Sequence, residues 1–155
     1  MGRLSGALMI VLLIWAVLAT SVAVKYYSEY AQLSRACSSL STKVILVNVG
    51  IDYGNGTVAW YNATPLPIGA SVLTALVSVA KVEYKYGTYG AYVVSVNGVC
   101  EQILSKTEGY SWMWYIYNAS LGRYVLGPVA ADKYVLTNGD TILWKYQHWS
   151  FPGGG

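Results

Sequence analysis

The chain has 155 residues, 55% of them hydrophobic and only 11% charged, which leaves room for one modest domain beside a membrane segment and excludes a disordered chain, since disorder goes with high charge and few aromatics. The formal net charge of +3 comes from 10 basic and 7 acidic side chains scattered singly. With no basic run or stripe to neutralise phosphates, nucleic acid is not an expected partner.

Gly2 and Arg3 precede an apolar stretch from Leu4 to Val24, closed by Lys25. At about 1.5 Å rise per residue it reaches about 30 Å, the thickness of a bilayer's hydrocarbon core. Residues 1–24 therefore read as a transmembrane signal anchor that engages the membrane through residues 4–24. A cleavable signal peptide is the competing reading: Ser21-Val22-Ala23 is an acceptable cleavage pattern, although the apolar region of such peptides is usually only about 7 to 15 residues. Both readings send everything after Lys25 outward. The expected location is the cell membrane, single-pass, with an extracytoplasmic carboxy-terminal domain; Arg3 meets the positive-inside rule weakly and Lys25 opposes it mildly.

Residues 25–42 read as a helical stalk. Tyr26, Tyr30, Leu33, Cys37 and Leu40 recur at spacings of four and three, a heptad seam. A coiled coil needs about three or four heptads, more than this segment holds, so the seam can pack on the chain's own domain or on a second copy. Ser38, Ser39, Ser41 and Thr42 form a polar break after it. Cys37 and Cys100 fit one disulfide of an exported protein. An intramolecular bridge between them would contribute about 2 to 4 kcal/mol; a bridge between two copies of Cys37, or two free thiols, are the alternatives. With His148 as the single histidine, the pair does not make a zinc site.

The globular part, residues 43–148, opens on a β-branched run from Val44 to Val49, a strand. Gly54-Asn55-Gly56 is a turn and Thr57 to Tyr61 the returning strand of a hairpin. Pro65 and Pro67 argue against regular structure before Gly69. A helix follows, with Val72, Ala75, Leu76 and Val79 on one face. Then come a strand-like VEYKYGTYG, a strand AYVVSVNG closing at Asn97-Gly98, a polar loop carrying Cys100, and the aromatic strand YSWMWYIYN. TILWKYQH is the last strand, introduced by Thr137-Asn138-Gly139-Asp140, and residues 149–155 read as a flexible tail. The class is α+β, one helix packed on a mixed sheet, preceded by the transmembrane helix and stalk.

Ile51-Asp52-Tyr53-Gly54, the helix after Gly69, Val93 to Val99, Trp112-Met113-Trp114-Tyr115 and Asn138 to Trp144, in that order, resemble the transcobalamin-like carboxy-terminal domain. This family is a small β-grasp module found at the end of vitamin B12 carriers and in many secreted bacterial and archaeal proteins. The resemblance spans roughly residues 44–147 and implies a β-grasp fold in a membrane-anchored, archaeal member. It also implies a corrinoid as a ligand by resemblance only; in the carriers a helical domain, not seen in this sequence, covers the cofactor's other face. Family members often carry an Asn-Gly turn after the tryptophan strand, where this chain has Tyr117-Asn118-Ala119-Ser120.

Catalysis has no support: there is no Gly-x-Ser-x-Gly elbow, phosphate loop or paired carboxylate motif, and Asp52 and Asp140 lie beside turn glycines, where a carboxylate caps its own backbone. The aromatics say more. Alternation along residues 110–118 puts Trp112, Trp114 and Ile116 on one face and Met113, Tyr115 and Tyr117 on the other. The tryptophan face is expected to be core. Tyr115 and Tyr117, joined by Tyr92 and Tyr146 from neighbouring strands, are expected to form an open aromatic face that binds a glycan or a flat small molecule, or another copy of the chain. Asn55, Asn62 and Asn118 head Asn-x-Ser/Thr triplets, acceptors for glycosylation on an exported domain. The expected function is a non-catalytic, membrane-anchored binding domain without a metal. The alternative is a structural subunit of a surface layer or filament, joined through stalk, sheet edge or aromatic face.

Overall fold

The computed structural model describes residues 2–41 and 43–151, with backbone alone for residues 2–7 and 39–41. The chain divides between Lys43 and Val44 into two units. The first is one helix, α1 (Gly2–Ser41). At about 1.5 Å per residue its 40 residues run about 60 Å, twice the hydrocarbon core of a bilayer. The stretch Leu8–Ser38 is long and apolar enough to cross a membrane. No helical break separates the expected anchor from the expected stalk. Ser38, Ser39 and Ser41 of the expected polar break remain helical, and Thr42 lies outside the described residues. The seam residues Tyr26, Tyr30, Leu33 and Cys37 are all exposed, and the side chain of Leu40 is outside the described set.

The second unit carries nine strands and one further helix among the described residues. β1 (Val44–Asp52) and β2 (Val58–Pro67) form the expected hairpin. The prolines were expected to end regular structure, yet β2 runs through both, with Pro65 opposite Leu46 and Pro67 opposite Val44. The reason is topological: β2 pairs only with β1 and is an edge strand, where a residue without an N–H is tolerated. α2 (Val72–Val79) starts at Ser71, whose Oγ accepts the Thr74 N–H at 3.2 Å, a standard N-cap. It buries Val72, Leu73, Ala75 and Leu76.

β3 (Val82–Gly87) and β4 (Gly90–Val96) pair antiparallel, and Asn97 (φ 50°) and Gly98 (φ 85°) turn the chain into β5 (Val99–Cys100). Both positive φ values suit an Asn-Gly hairpin turn. The expected polar loop around Cys100 is therefore partly strand, and β6 (Gln102–Ser105) follows it. β7 (Glu108–Asn118), β8 (Arg123–Leu126) and β9 (Thr141–Ser150) complete the domain. β9 extends two residues past the expected domain end at 148, and Trp149 is held by its indole N–H donating to Ser111 Oγ at 2.9 Å. Of the expected tail, residues 152–155 lie outside the described residues.

The large sheet runs β2-β1-β9-β7-β6, with β8 also on β7; β3-β4-β5 forms a smaller sheet. β1 and β9 are parallel and the other pairs antiparallel, so the sheet is mixed, as expected from the sequence. One core unites α2 with Val47, Val49 and Ile51 of β1, Ile142 and Trp144 of β9, Trp112 and Trp114 of β7, and Val93 and Val96 of β4. Cys37 and Cys100, one in each unit, are both free thiols on exposed residues, and Cys100 Sγ lies 3.7 Å from Gly98 O of its own hairpin.

Candidate functional site

Alternation along β7 divides the aromatic strand into two faces. Trp112 and Trp114 are buried in the core, and their indole N–H groups donate to Val99 O (2.9 Å) and Val129 O (3.1 Å). Tyr115 and Tyr117 point the other way. Tyr115 lies opposite Leu143 on one side and Leu126 on the other, and Tyr117 lies opposite Tyr124, its ring 5.3 Å from that of Tyr124. Burial, with Tyr117 close by, pushes the Tyr124 phenol above its ordinary pKa. The Tyr115 hydroxyl donates to Gln147 Oε1 at 2.9 Å, and Lys145 Nζ stands 5.9 Å from its ring centroid. Lys145 also reaches Asp52 at 3.8 Å.

Trp60 of β2 belongs to the same outer face, through a position with no side chain. Gly50 is its cross-strand partner, and Gly50 also lies beside Leu143 of β9. A Cβ on Gly50 would come within 2.7 Å of Trp60 Cη2 and 2.8 Å of Leu143 Cδ1. The indole thus lies across the bare backbone toward Leu143, 44% exposed. Sequence reasoning passed over Trp60, because only the register of β1 against β2 puts a glycine beneath it.

The other two expected face residues are elsewhere. Tyr146 is three residues from Leu143, so alternation sends it to the opposite side, and it pairs with Trp112. Its ring centroid is 5.4 Å from Trp112 and 5.8 Å from Tyr110, and its hydroxyl donates to Cys100 O at 3.0 Å. Burial first, then Tyr110 and Cys100, raises its pKa. Tyr92 is on β4 of the smaller sheet. Its hydroxyl donates to Glu101 Oε2 at 2.7 Å and meets Ser111 Oγ at 2.9 Å. Burial raises its pKa, the Ser111 hydrogen bond opposes this, and Glu101 adds to the rise. The four tyrosines therefore do not form one surface.

At the edge of β7 lies a cleft of about 230 Å³ lined from both faces of the strand. β6 is in register with β7 as far as Tyr110 and β8 from Tyr115 onward, with Gly127 N donating to Trp114 O at 2.9 Å. Between them this edge of β7 has no strand neighbour, and Tyr92, Trp112, Met113, Trp114, Gly127 and Trp144 are among the residues lining the opening. No charged side chain lines it. Gly127 is required: a Cβ there would fall 2.0 Å from Trp114 Cε2. At that volume the cleft is smaller than the about 300–1,000 Å³ of a drug-sized ligand pocket, so it does not enclose a corrin ring.

The three sequon asparagines are at bends in the chain. Asn55 Oδ1 accepts the Thr57 N–H at 2.9 Å, and Asn118 Oδ1 accepts that of Leu121 at 3.1 Å. Asn62 is exposed on β2, beside Ala63 at φ 51° and the register shift against β1. Among the described residues no three His, Cys, Asp or Glu side chains gather as a metal site would need. His148 Nε2 is 2.9 Å from Glu108 Oε1 on an exposed part of the sheet.

Residues 69–148 match the family described as a domain of unknown function, DUF4430, and that stretch is more than half of the chain. The chain belongs to the DUF4430 family. The match covers α2 and every strand from β3 to β8, with β9 as far as His148, so the cleft lies within the DUF4430 region, whereas Trp60 lies before it. No curated protein matches the chain. Among solved structures, haptocorrin in complex with Cbi is similar over 66% of this DUF4430 chain at 16% identity and a TM-score of 0.50, and the match takes up 25% of the haptocorrin chain. At that identity the likeness is one of fold, and it agrees with the resemblance to transcobalamin-like domains. A candidate metal binding protein from Ruminococcus gnavus matches 70% of this chain and 99% of its own, at 17% identity and a TM-score of 0.48.

Proposed function

We propose that the protein is a non-catalytic binding module, anchored in the cell membrane by α1 with its domain extracytoplasmic, and that the outer sheet face around Trp60, Tyr115 and Tyr117 is the contact surface for a glycan. The observation that carries this reading is the mixture of groups on that face. Trp60 and Tyr117, each 44% exposed, and the half-buried Tyr115 offer ring faces to the apolar C–H surface of a sugar. Lys145, Gln147 and Asp52, interleaved with them, offer donors and acceptors to its hydroxyls. Half-exposed rings set among polar groups are a common form of binding surface. A flat small molecule could stack on the same rings, without using the polar groups.

Outward orientation also puts Asn55, Asn62 and Asn118 within reach of glycosylation, and a glycan on Asn62 would shield the β2 edge from strand pairing. The test is a glycan array probed with the full chain in detergent, alongside Tyr117→Ala. Saturable binding lost in the variant supports the reading. Binding that Tyr117→Ala leaves unchanged contradicts it, and long polymers of the unliganded protein in mild detergent would favour a structural subunit.

A further inference from the structure

The strand edges differ in how they are closed to further pairing. On the large sheet β2 carries Pro65 and Pro67, and β6 and β8 have four residues each; prolines and short length keep an edge from pairing with another chain. In the smaller sheet β5 has two residues. β3 is different. It pairs only with β4, and its six residues, Val-Glu-Tyr-Lys-Tyr-Gly, include no proline. The register shift in this hairpin is taken up by β4: Ser95 faces Glu83 and Val93 faces Tyr84, which leaves Val94 as the extra residue. β3 itself runs without a bulge.

Two fixed points give the direction of its main-chain groups. Lys81 O accepts the Asn97 N–H at 2.8 Å, and Gly87 faces Gly90 across a two-residue turn. Alternate residues of an antiparallel ladder turn both groups to the partner. Lys81, Glu83, Lys85 and Gly87 therefore face β4, and Val82, Tyr84 and Tyr86 present N–H and C=O to the open side. The side chains alternate as well. Val82 packs on the core, and Tyr84 and Tyr86 share its face, their ring centroids 5.7 Å apart. Glu83 and Lys85 stand exposed on the other face, and neither forms an ion pair among the described residues.

We propose that β3 pairs antiparallel with β3 of a second copy, about a two-fold axis at Tyr84. Charge selects this register. With Tyr84 opposite Tyr84 of the second copy, Glu83 lies opposite Lys85 and Lys85 opposite Glu83, while Val82 meets Tyr86. Opposite charges facing across a strand pair are favourable and like charges are not. Moving the axis by one residue in either direction sets Glu83 against Glu83 or Lys85 against Lys85. The remaining registers, with Tyr84 opposite Glu83 or Lys85, bring the open groups of one copy against groups the other has already turned to β4. A two-fold contact closes at two copies, so the product is a dimer whose two small sheets run on as one, and not a polymer. This goes beyond the glycan reading and does not rest on it, because β3 belongs to the other sheet.

The test is sedimentation of the full chain in detergent micelles as a function of protein concentration. The parent is expected to dimerise reversibly. Lys85→Glu and Glu83→Lys are each expected to weaken the dimer about tenfold, and the chain carrying both exchanges to recover it. Mixing the two single variants is expected to give a heterodimer, since each supplies the charge the other lacks. The register is read by oxidation in a Cys37→Ser, Cys100→Ser background. Tyr84→Cys is expected to form a disulfide between copies, its Cα atoms about 5.5 Å apart. Tyr86→Cys is expected not to, being four residues or about 14 Å from its counterpart. Tyr117→Ala is expected to dimerise as the parent does. All the substituted β3 positions are exposed, so folding does not depend on them. A chain that stays monomeric at submillimolar concentration would overturn the proposal, as would a dimer that Lys85→Glu leaves unchanged, which would place the contact on α1. Failure of the double exchange to restore the dimer, or equal cross-linking of Tyr84→Cys and Tyr86→Cys, would overturn it too.

Discussion

Replacing Gly50 by Ala tests how the outer face is built. The new methyl would start 2.7 Å from Trp60 Cη2 and 2.8 Å from both Trp60 Cζ3 and Leu143 Cδ1, whereas carbon atoms rest about 3.5–4.0 Å apart. Something must move by about 1 Å. Leu143 is buried and Trp60 is 44% exposed, so the indole lifts off the sheet. Overpacking of this kind costs about 1–3 kcal/mol. Restricting the unfolded chain returns about 0.4–1 kcal/mol, since Gly50 does not sit at positive φ. The net expectation is a loss of about 0.5–2 kcal/mol, and each kcal/mol corresponds to roughly 4–8 °C in Tm for a domain of this size. Thermal unfolding followed by near-ultraviolet dichroism reads the loss. Repeating Gly50→Ala in a Trp60→Ala background should remove most of it, a coupling of about 1 kcal/mol. An equal cost in both backgrounds would show that Trp60 does not rest on Gly50, and the outer face would lose its main platform.

Three further outcomes follow from the same packing. Tyr117→Ala should change stability by less than about 1 kcal/mol, because the ring is half exposed, whereas Trp112→Ala should cost about 3–5 kcal/mol as a core truncation; urea titrations that reverse this order would mean the faces of β7 are exchanged. Gly127→Ala should drive its Cβ into the Trp114 ring, 2.0 Å away at the nearest atom, and so destabilise the domain and broaden the Trp114 indole resonance; an unperturbed resonance would refute the close approach. Asp132 is held below its ordinary pKa chiefly by the Ala91 N–H, which donates to Oδ1 at 2.7 Å, with Lys133 assisting. A lowered folded pKa favours the native state when the carboxyl is ionised, so the contribution is complete above the unfolded value of about 3.9 and fades as pH falls through the folded one. The stability gap between parent and Asp132→Asn should therefore be constant near neutrality and shrink in acid; a constant gap throughout would refute it.

Much of the fold was legible because local signals agreed. Gly54-Asn55-Gly56 and Asn97-Gly98 made their turns, and the Val72–Val79 periodicity made its helix. β8 and the short strands β5 and β6 escaped notice, since each borrows its order from pairing with β7 or β4 and has little pattern of its own. The prolines of β2 misled for a related reason: whether proline ends a strand depends on whether that strand is at an edge, which only the topology reveals. For the site, alternation within β7 correctly separated Trp112 and Trp114 from Tyr115 and Tyr117. It could not extend to Tyr146, whose face depends on its register against Trp112, or to Tyr92, which belongs to another sheet. Trp60 had no distinguishing local signal: its place depends on a glycine ten residues earlier.

The central claim is that the outer face of the large sheet is the contact surface. The most direct measurement is hydroxyl-radical footprinting of the full chain in detergent, with and without an oligosaccharide selected on the array. The account predicts protection of Trp60, Tyr115 and Tyr117, with Tyr86 and Tyr89 of the β3–β4 hairpin in the smaller sheet unchanged. Protection confined to that hairpin, or to residues of α1, would contradict it.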